Sequence, residues 1–129
     1  MTTVAEIMSR GLLTVEPRAS LNEAARQMDE RRVGAALVLE GDALLGIVTE
    51  RDVLRAVAAG PIEGVCVADC MTRQPETIDA SETTKLAASL MIHGGFRHLP
   101  VLDGERVVGI VSIRDLMRVT LDDETPRGA

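Results

Sequence analysis

The sequence predicts an α/β (α+β) fold made of two β-α-β-β-α units packed about a pseudo-twofold axis. Three observations carry this. Shifting the chain against itself by 63 residues aligns residues 4–57 with 67–120 without a gap, with 17 identities over 54 positions. Within each copy, apolar residues pass from helical spacing to short runs broken by Gly-centred turns. Two copies are too few for a solenoid and suit a closed pair.

The elements follow in order. A short helical piece opens each copy (Val4–Met8, Val67–Met71), then a brief extended segment (Leu13–Val15, Glu76–Ile78). Next comes an amphipathic helix. In the first copy Ser20-Leu21-Asn22-Glu23 reads as a capping box, in which the Ser hydroxyl takes the amide three residues on and the Glu returns to the Ser amide. Leu21, Ala24, Ala25 and Met28 form its apolar stripe; in the second copy Thr83 caps and Leu86, Ala87, Leu90 and Met91 make the stripe. Hairpins follow, Ala35–Leu39 with Leu44–Val48 around Glu40-Gly41-Asp42, and Leu99–Leu102 with Val107–Val111 around Asp103-Gly104-Glu105. Each copy closes on a helix, Arg51–Ala58 and Ile113–Leu121. The expected boundaries are 1–60 for the first unit, 61–66 for a linker too short to let the units drift apart, 67–121 for the second, and 122–129 for a frayed, polar tail.

Composition narrows the function. At 129 residues, 46% hydrophobic and 26% charged, the chain is globular, and a chain of this size buries roughly two-thirds of its unfolded surface. One Phe is the only aromatic residue, so the core is Val, Leu, Ile, Ala and Met, and a flat ligand cannot rely on aromatic stacking. The net charge of −6 repels phosphate backbones and anionic lipid, which argues against nucleic-acid or membrane partners, yet a few local cations suffice for a small phosphorylated ligand. No apolar run approaches the ~18 residues of a membrane span, and Met1–Arg10 lacks the pattern of a secretory signal. Cys66 and Cys70 read as reduced thiols of a cytoplasmic protein, and with two distant histidines, His93 and His98, they make no zinc set. No nucleophile–base pair is evident, so the expectation is a protein that is not an enzyme.

Two features could carry chemistry. The second hairpin strand ends alike in both copies, as Gly46-Ile47-Val48-Thr49-Glu50-Arg51-Asp52 and as Gly109-Ile110-Val111-Ser112-Ile113-Arg114-Asp115. A hydroxyl three residues before an Asp is a helix cap with a dipole-complementing acid. The same geometry offers free amides to an oxyanion and a carboxylate to a ribose diol. The second feature is asymmetric. Phe96-Arg97-His98-Leu99-Pro100-Val101 enters the second hairpin where the first copy has Val33-Gly34-Ala35-Ala36-Leu37-Val38. Arg97 can hold phosphate in a bidentate manner, or be a surface Arg beside a carbonyl-bonding His. Gly94-Gly95 is a helix stop.

Gly-Phe-Arg-His-Leu-Pro-Val, a turn, then Val-Gly-Ile-Val-Ser-Ile-Arg-Asp, with Gly-Ile-Val-Thr-Glu-Arg-Asp in the first copy, resembles the CBS domain. The resemblance covers residues 2–121, and two such units in tandem are called a Bateman module. It implies two CBS units packed by their sheets, with clefts between them that bind AMP, ADP, ATP or S-adenosylmethionine as a regulatory ligand, no obligatory cofactor and no metal. It implies disc-like homodimers; the last helices carry apolar residues beyond one face (Val53, Leu54, Ala56, Val57; Leu116, Met117, Val119), an excess that suits either a dimer or burial within the pair. With no further domain expected, a separate effector protein would read the signal. By the same resemblance Asp115 holds the ribose diol of a second site and Ser112 bonds ribose or phosphate. Arg97, His98 and Arg114 face phosphate, Thr77 and Ile78 line the adenine slot, and Phe96 and Pro100 complete the site. Thr14, Val15, Ala36, Thr49, Arg51 and Asp52 take the matching places in a first site. The first copy lacks the Arg-His run, so the second site should bind a phosphorylated nucleotide better. The competing expectation is an interaction module whose clefts are vestigial and whose Asp residues are only caps.

Overall fold

The 63-residue register is legible element by element in a computed structural model that describes residues 2–124, with side chains through Leu121. The order is α1 (Val4–Ile7), β1 (Thr14–Val15), α2 (Leu21–Arg31), β2 (Ala35–Glu40), β3 (Ala43–Thr49), α3 (Glu50–Ala59), α4 (Val67–Cys70), β4 (Thr72–Arg73), β5 (Ile78–Asp79), α5 (Thr84–Gly94), β6 (His98–Asp103), β7 (Arg106–Ser112) and α6 (Ile113–Glu124). This is the mixed α/β architecture that the repeat predicts. α6 runs through Glu124, past the residue-121 boundary expected for a frayed tail, and 125–129 lie outside the described residues. Among the described residues no helix is long and apolar enough to cross a membrane.

Two sheets form, a four-stranded one in the order β1-β2-β3-β4 and a three-stranded one in the order β5-β6-β7. In each, the short first strand runs parallel to the hairpin strand beside it, Thr14 pairing with Leu37 and Ile78 with Val101. The hairpins turn through Gly41 and Gly104, both at positive φ, where a residue without Cβ is unstrained.

The chain divides into two compact units, and they do not follow the repeat boundaries. One is Leu12–Pro75; the other joins Met1–Gly11 to Glu76–Ala129. The leading segment of each copy is stitched to the other copy's elements. In the Leu12–Pro75 unit, Val67 and Ala68 donate their amides to the carbonyls of Ala19 (2.8 Å) and Pro17 (2.9 Å), and β4 pairs with β3. In the other unit, Val4 and Ala5 donate to Glu82 (2.8 Å) and Ala80 (3.0 Å), and Ser9 exchanges two backbone bonds with Ile110. Each core follows this exchange. Val67 and Met71 join Leu13, Leu21, Ala24, Met28, Ala36, Val38 and Val48, while Val4 joins Ile78, Ala87, Met91, Leu99, Val101, Val111 and Leu116. These are aliphatic side chains and Met, as the near absence of aromatics requires.

Three local expectations are corrected. The Ser20 hydroxyl accepts from the Glu23 amide at 3.1 Å, but the Glu23 carboxylate turns to Arg26 (2.7 Å) and Gln27 instead of returning to the cap, so only half of the box forms. A nearby guanidinium is the stronger partner for a carboxylate. Leu86 is exposed, and Ala88 packs against the core in its place on α5. β4 carries ladder bonds where no strand was expected, because its partner strand belongs to the other copy.

Candidate functional site

Each unit places a hydroxyl residue and an Asp where a hairpin strand turns into a helix. In the second copy, β7 ends at Ser112 and α6 begins at Ile113. The Asp115 carboxylate reaches back, its Oδ2 accepting from the Ser112 amide (2.8 Å) and hydroxyl (3.0 Å), while the Ser112 Oγ accepts from the Asp115 amide at 3.2 Å. That is the reciprocal cap expected from the sequence. It spends the hydroxyl's one proton, leaving Ser112 a lone pair for a further donor such as a ribose hydroxyl. A fully ionised phosphate oxygen, which donates nothing, finds no partner there.

The other oxygen of Asp115, Oδ1, accepts no hydrogen bond among the described residues. Its nearest cation is Arg118 Nη1 at 4.0 Å, on a side chain that is 70% exposed, a distance and exposure at which an ion pair contributes little.

Strand pairing brings the rest of the second set to this corner. His98 pairs with Ser112 across the β6–β7 ladder, and the Ile113 amide donates to the Arg97 carbonyl at 2.9 Å. Arg97 and Arg114 are exposed, and His98 is half-buried. Phe96 packs onto the core, its ring lying so close over Gly94 that any Cβ there would collide with it. β5 is the far neighbour of β6, with Ile78 level with Val101. Strand spacing and rise therefore put Ile78 about 10 Å across and about 10 Å along the sheet from Ser112. Thr77 is half-buried, while Ile78 and Pro100 are buried.

The first corner repeats the cap. Asp52 Oδ2 accepts from the Thr49 amide (2.9 Å) and hydroxyl (3.1 Å), and the Thr49 hydroxyl accepts from the Asp52 amide at 3.3 Å. It differs at the second oxygen. Thr72 on β4 donates its hydroxyl to Asp52, 3.1 Å from Oδ1 and 3.4 Å from Oδ2. Asp52 is buried, 5% exposed, whereas Asp115 is half-buried. Gly34 supplies the carbonyl for the Glu50 amide at 3.1 Å, the counterpart of Arg97 without its side chain. Arg51 is exposed, and Ala36 is wholly buried in the core.

Thr14 and Val15 lie on β1 beyond β2, two strands from Thr49. They also line an open hollow of about 570 Å³ with Glu16, Pro17, Arg18, Leu39, Glu40 and Gly41. The ladder pairs Ala35 with Thr49, so this hollow sits at the opposite end of β2 from Asp52. Among the described residues no group of three or more His, Cys, Asp or Glu could hold a metal ion.

Sequence reasoning missed Thr72 and its counterpart Ser9. The self-alignment does match the two hydroxyl residues, but it cannot show that each crosses to the sheet of the other copy.

Comparison with known proteins identifies the family and the fold. The CBS domain family matches residues 4–59 and 67–122. CBS domain-containing protein YhcV of Bacillus subtilis is 32% identical over 130 residues, covering 100% of this chain and 93% of its own. A protein with CBS domains from Burkholderia ambifaria superposes with a TM-score of 0.90 at 34% identity, over 99% of this chain and all of that one. The CBS domain pair of protein MJ0100, solved with 5′-methylthioadenosine and S-adenosyl-L-methionine, gives 0.89 at 27% identity over 96% and 99% of the two chains. CBSX2, solved with AMP, gives 0.83 at 26% over 97% and 100%. With both copies matched by the family and the fold shared throughout, the chain belongs to the CBS-domain proteins as a tandem CBS pair.

Proposed function

We propose that this protein is a non-catalytic, cytoplasmic regulatory module that senses an adenosine-type nucleotide, AMP, ADP, ATP or S-adenosylmethionine, and passes its state to a separate effector protein. The observation that carries the proposal is the Asp115 carboxylate, with one oxygen fixed by the Ser112 cap and the other without a hydrogen bond among the described residues. A ribose diol needs such an acceptor. The complexes of MJ0100 and CBSX2 with adenosine compounds support the ligand class. In this reading Asp115 Oδ1 takes the diol and Ser112 offers its remaining lone pair to the ribose. Arg97, His98 and Arg114 face phosphate. Thr77 is at the adenine slot, with Ile78 and Pro100 shaping it from beneath and Phe96 bracing the loop that carries Arg97. Exposed Leu54, Val57 and Met117 on α3 and α6 support a homodimer.

A second reading, an interaction module with vestigial sites, draws support from the first corner, where Asp52 is already bonded on both oxygens. One thermal-shift panel separates the two. Ligand at about a hundred times its dissociation constant stabilises by roughly 2.7 kcal/mol. The expected result is a shift with at least one of the four ligands that Asp115→Asn abolishes, and that Arg97→Gln weakens for AMP but not for adenosine. No shift with any of them refutes the sensor in favour of the interaction module.

A further inference from the structure

We infer that the Thr72 hydroxyl is a built-in competitor for ribose, closing the Asp52 corner to nucleotides while the matching Asp115 corner stays open; the inference rests on the nucleotide reading above. The two corners share their main backbone contacts. β3 pairs Ile47 with Thr72, as Ile110 pairs with Ser9 in the other unit, and both Asp residues fold back on a hydroxyl cap. They differ in what reaches the carboxylate from the leading segment. Thr72 places its hydroxyl 3.1 Å from Asp52 Oδ1. Among the described residues, Ser9 makes no side-chain hydrogen bond to Asp115.

The side chains account for the difference. Thr is branched at Cβ and held to few χ1 rotamers, so on a strand its hydroxyl stays aimed; the unbranched Ser is free to turn to water. A 3.1 Å bond from O–H to a carboxylate that is 5% exposed belongs to the stronger, charge-assisted kind. A ribose diol would need the same oxygen. It would have to displace Thr72 and leave that hydroxyl to find another acceptor, whereas at Asp115 it displaces only water. The first corner also lacks an Arg97 equivalent, since Gly34 stands there, so only Arg51, the counterpart of Arg114, is left to offset the displacement with a phosphate contact.

Calorimetric titration with AMP tests this on the whole chain: wild type, Asp115→Asn, Thr72→Ala, and Thr72→Ala with Asp115→Asn. The expected result is one site in wild type, lost in Asp115→Asn, and a second site in Thr72→Ala that survives in the double variant. The gain at the first corner should be on the order of tenfold or more, the worth of one hydrogen bond to a charged acceptor. It should vanish with 2′,3′-dideoxy-AMP, which a mere loosening of the fold would not require. A double variant binding AMP no better than Asp115→Asn alone overturns the inference, as do two equal sites in wild type. Wild type that binds nothing while Thr72→Ala binds would sink the reading of the second corner and leave the inference standing; no binding to any of the four proteins sinks both. Amide spectra of the wild type provide a check that does not depend on the variants folding. AMP should move the Ser112 and Asp115 signals and leave Thr72 and Asp52 in place, and equal movement at equal concentration overturns the inference.

Discussion

The Asp52–Thr72 contact has a stability that can be measured without any ligand. Asp52→Ala removes the acceptor for the Thr49 amide and for the Thr72 hydroxyl, in a place only 5% exposed. Hydrogen bonds to a charged group contribute about 1.5–3 kcal/mol each, and Thr72 keeps partial access to water, so the lower figure applies to its bond. The bonds from the cap residue are lost alike in Asp52→Ala and Asp115→Ala, so Asp52→Ala should cost about 1.5 kcal/mol more, the contribution of the Thr72 bond. For a chain of this length 1 kcal/mol moves the melting temperature by about 3–5 °C, so the two variants should melt about 5 °C apart. The decisive quantity is the coupling in a double-mutant cycle of Thr72→Ala and Asp52→Ala, expected at about 1.5 kcal/mol in denaturant melts of the nucleotide-free protein. Distant sites add to within about 0.5 kcal/mol. A coupling inside that margin would mean that Thr72 does not hold Asp52, and the argument for a closed first corner would fail with it.

Two further predictions address the crossed leading segments and the cysteines. A Cβ at Gly109 would lie 2.5 Å from Met8 Sδ and 2.9 Å from the Ser9 carbonyl oxygen, so Gly109→Ala forces the leading segment off β7; overpacking of this kind costs about 1–3 kcal/mol, read as a lowered melting temperature, and an unchanged melt would show that the segment is not seated there. Burial pushes the Cys70 thiol above the ordinary cysteine range, and the carboxylates of Asp69 and Asp52 add to the shift. Its thiolate fraction near pH 7.5 is then below that of a free cysteine, titrating at about 8.5. Mass-spectrometric tracking of iodoacetamide labelling should find Cys70 slower than a short peptide control, and equal rates would contradict the burial.

The features readable in the sequence are those set by local chemistry. The cap at Ser112–Asp115 needs only a hydroxyl, an Asp three residues on and the end of an apolar run, and the structure has it. Val38, Val48, Val101 and Val111 are fully buried because they stand at the same step of the same repeat. What stayed hidden was set by partners far along the chain. Glu23 prefers Arg26 to its own cap, a choice among neighbours that the capping pattern does not weigh. Thr72 lies 20 residues from Asp52, and nothing between them signals the contact. β4 is invisible because two residues have no period, and it exists only through its partner β3.

The duplication explains why such a contact can separate two otherwise equal corners. An ungapped repeat preserves backbone geometry, so Ile47 and Ile110 receive their partners in the same way, and Gly46 and Gly109 both leave room for a neighbouring Met. Side chains facing the corner carry no share of that backbone pairing and are free to diverge. They differ at two positions that bear on a nucleotide's phosphate and ribose. Where the second corner has Arg97 and Ser9, a cation and a hydroxyl that makes no side-chain hydrogen bond among the described residues, the first has Gly34 and Thr72, no charge at that position and a hydroxyl bonded to Asp52. Each difference acts in the same direction, one on phosphate and one on ribose. A single change would weaken one group's binding; the pair weakens both handles of a nucleotide at the first corner, where Arg51 alone keeps a charge toward phosphate. Restoring one alone should therefore recover only part of the affinity. In Thr72→Ala the recovered site should prefer AMP over adenosine less than the Asp115 corner does, because Gly34 leaves Arg51 alone to read the phosphate. Titration of that variant with both ligands decides it, and an equal preference for AMP at both corners would show that Arg97 does not set the difference.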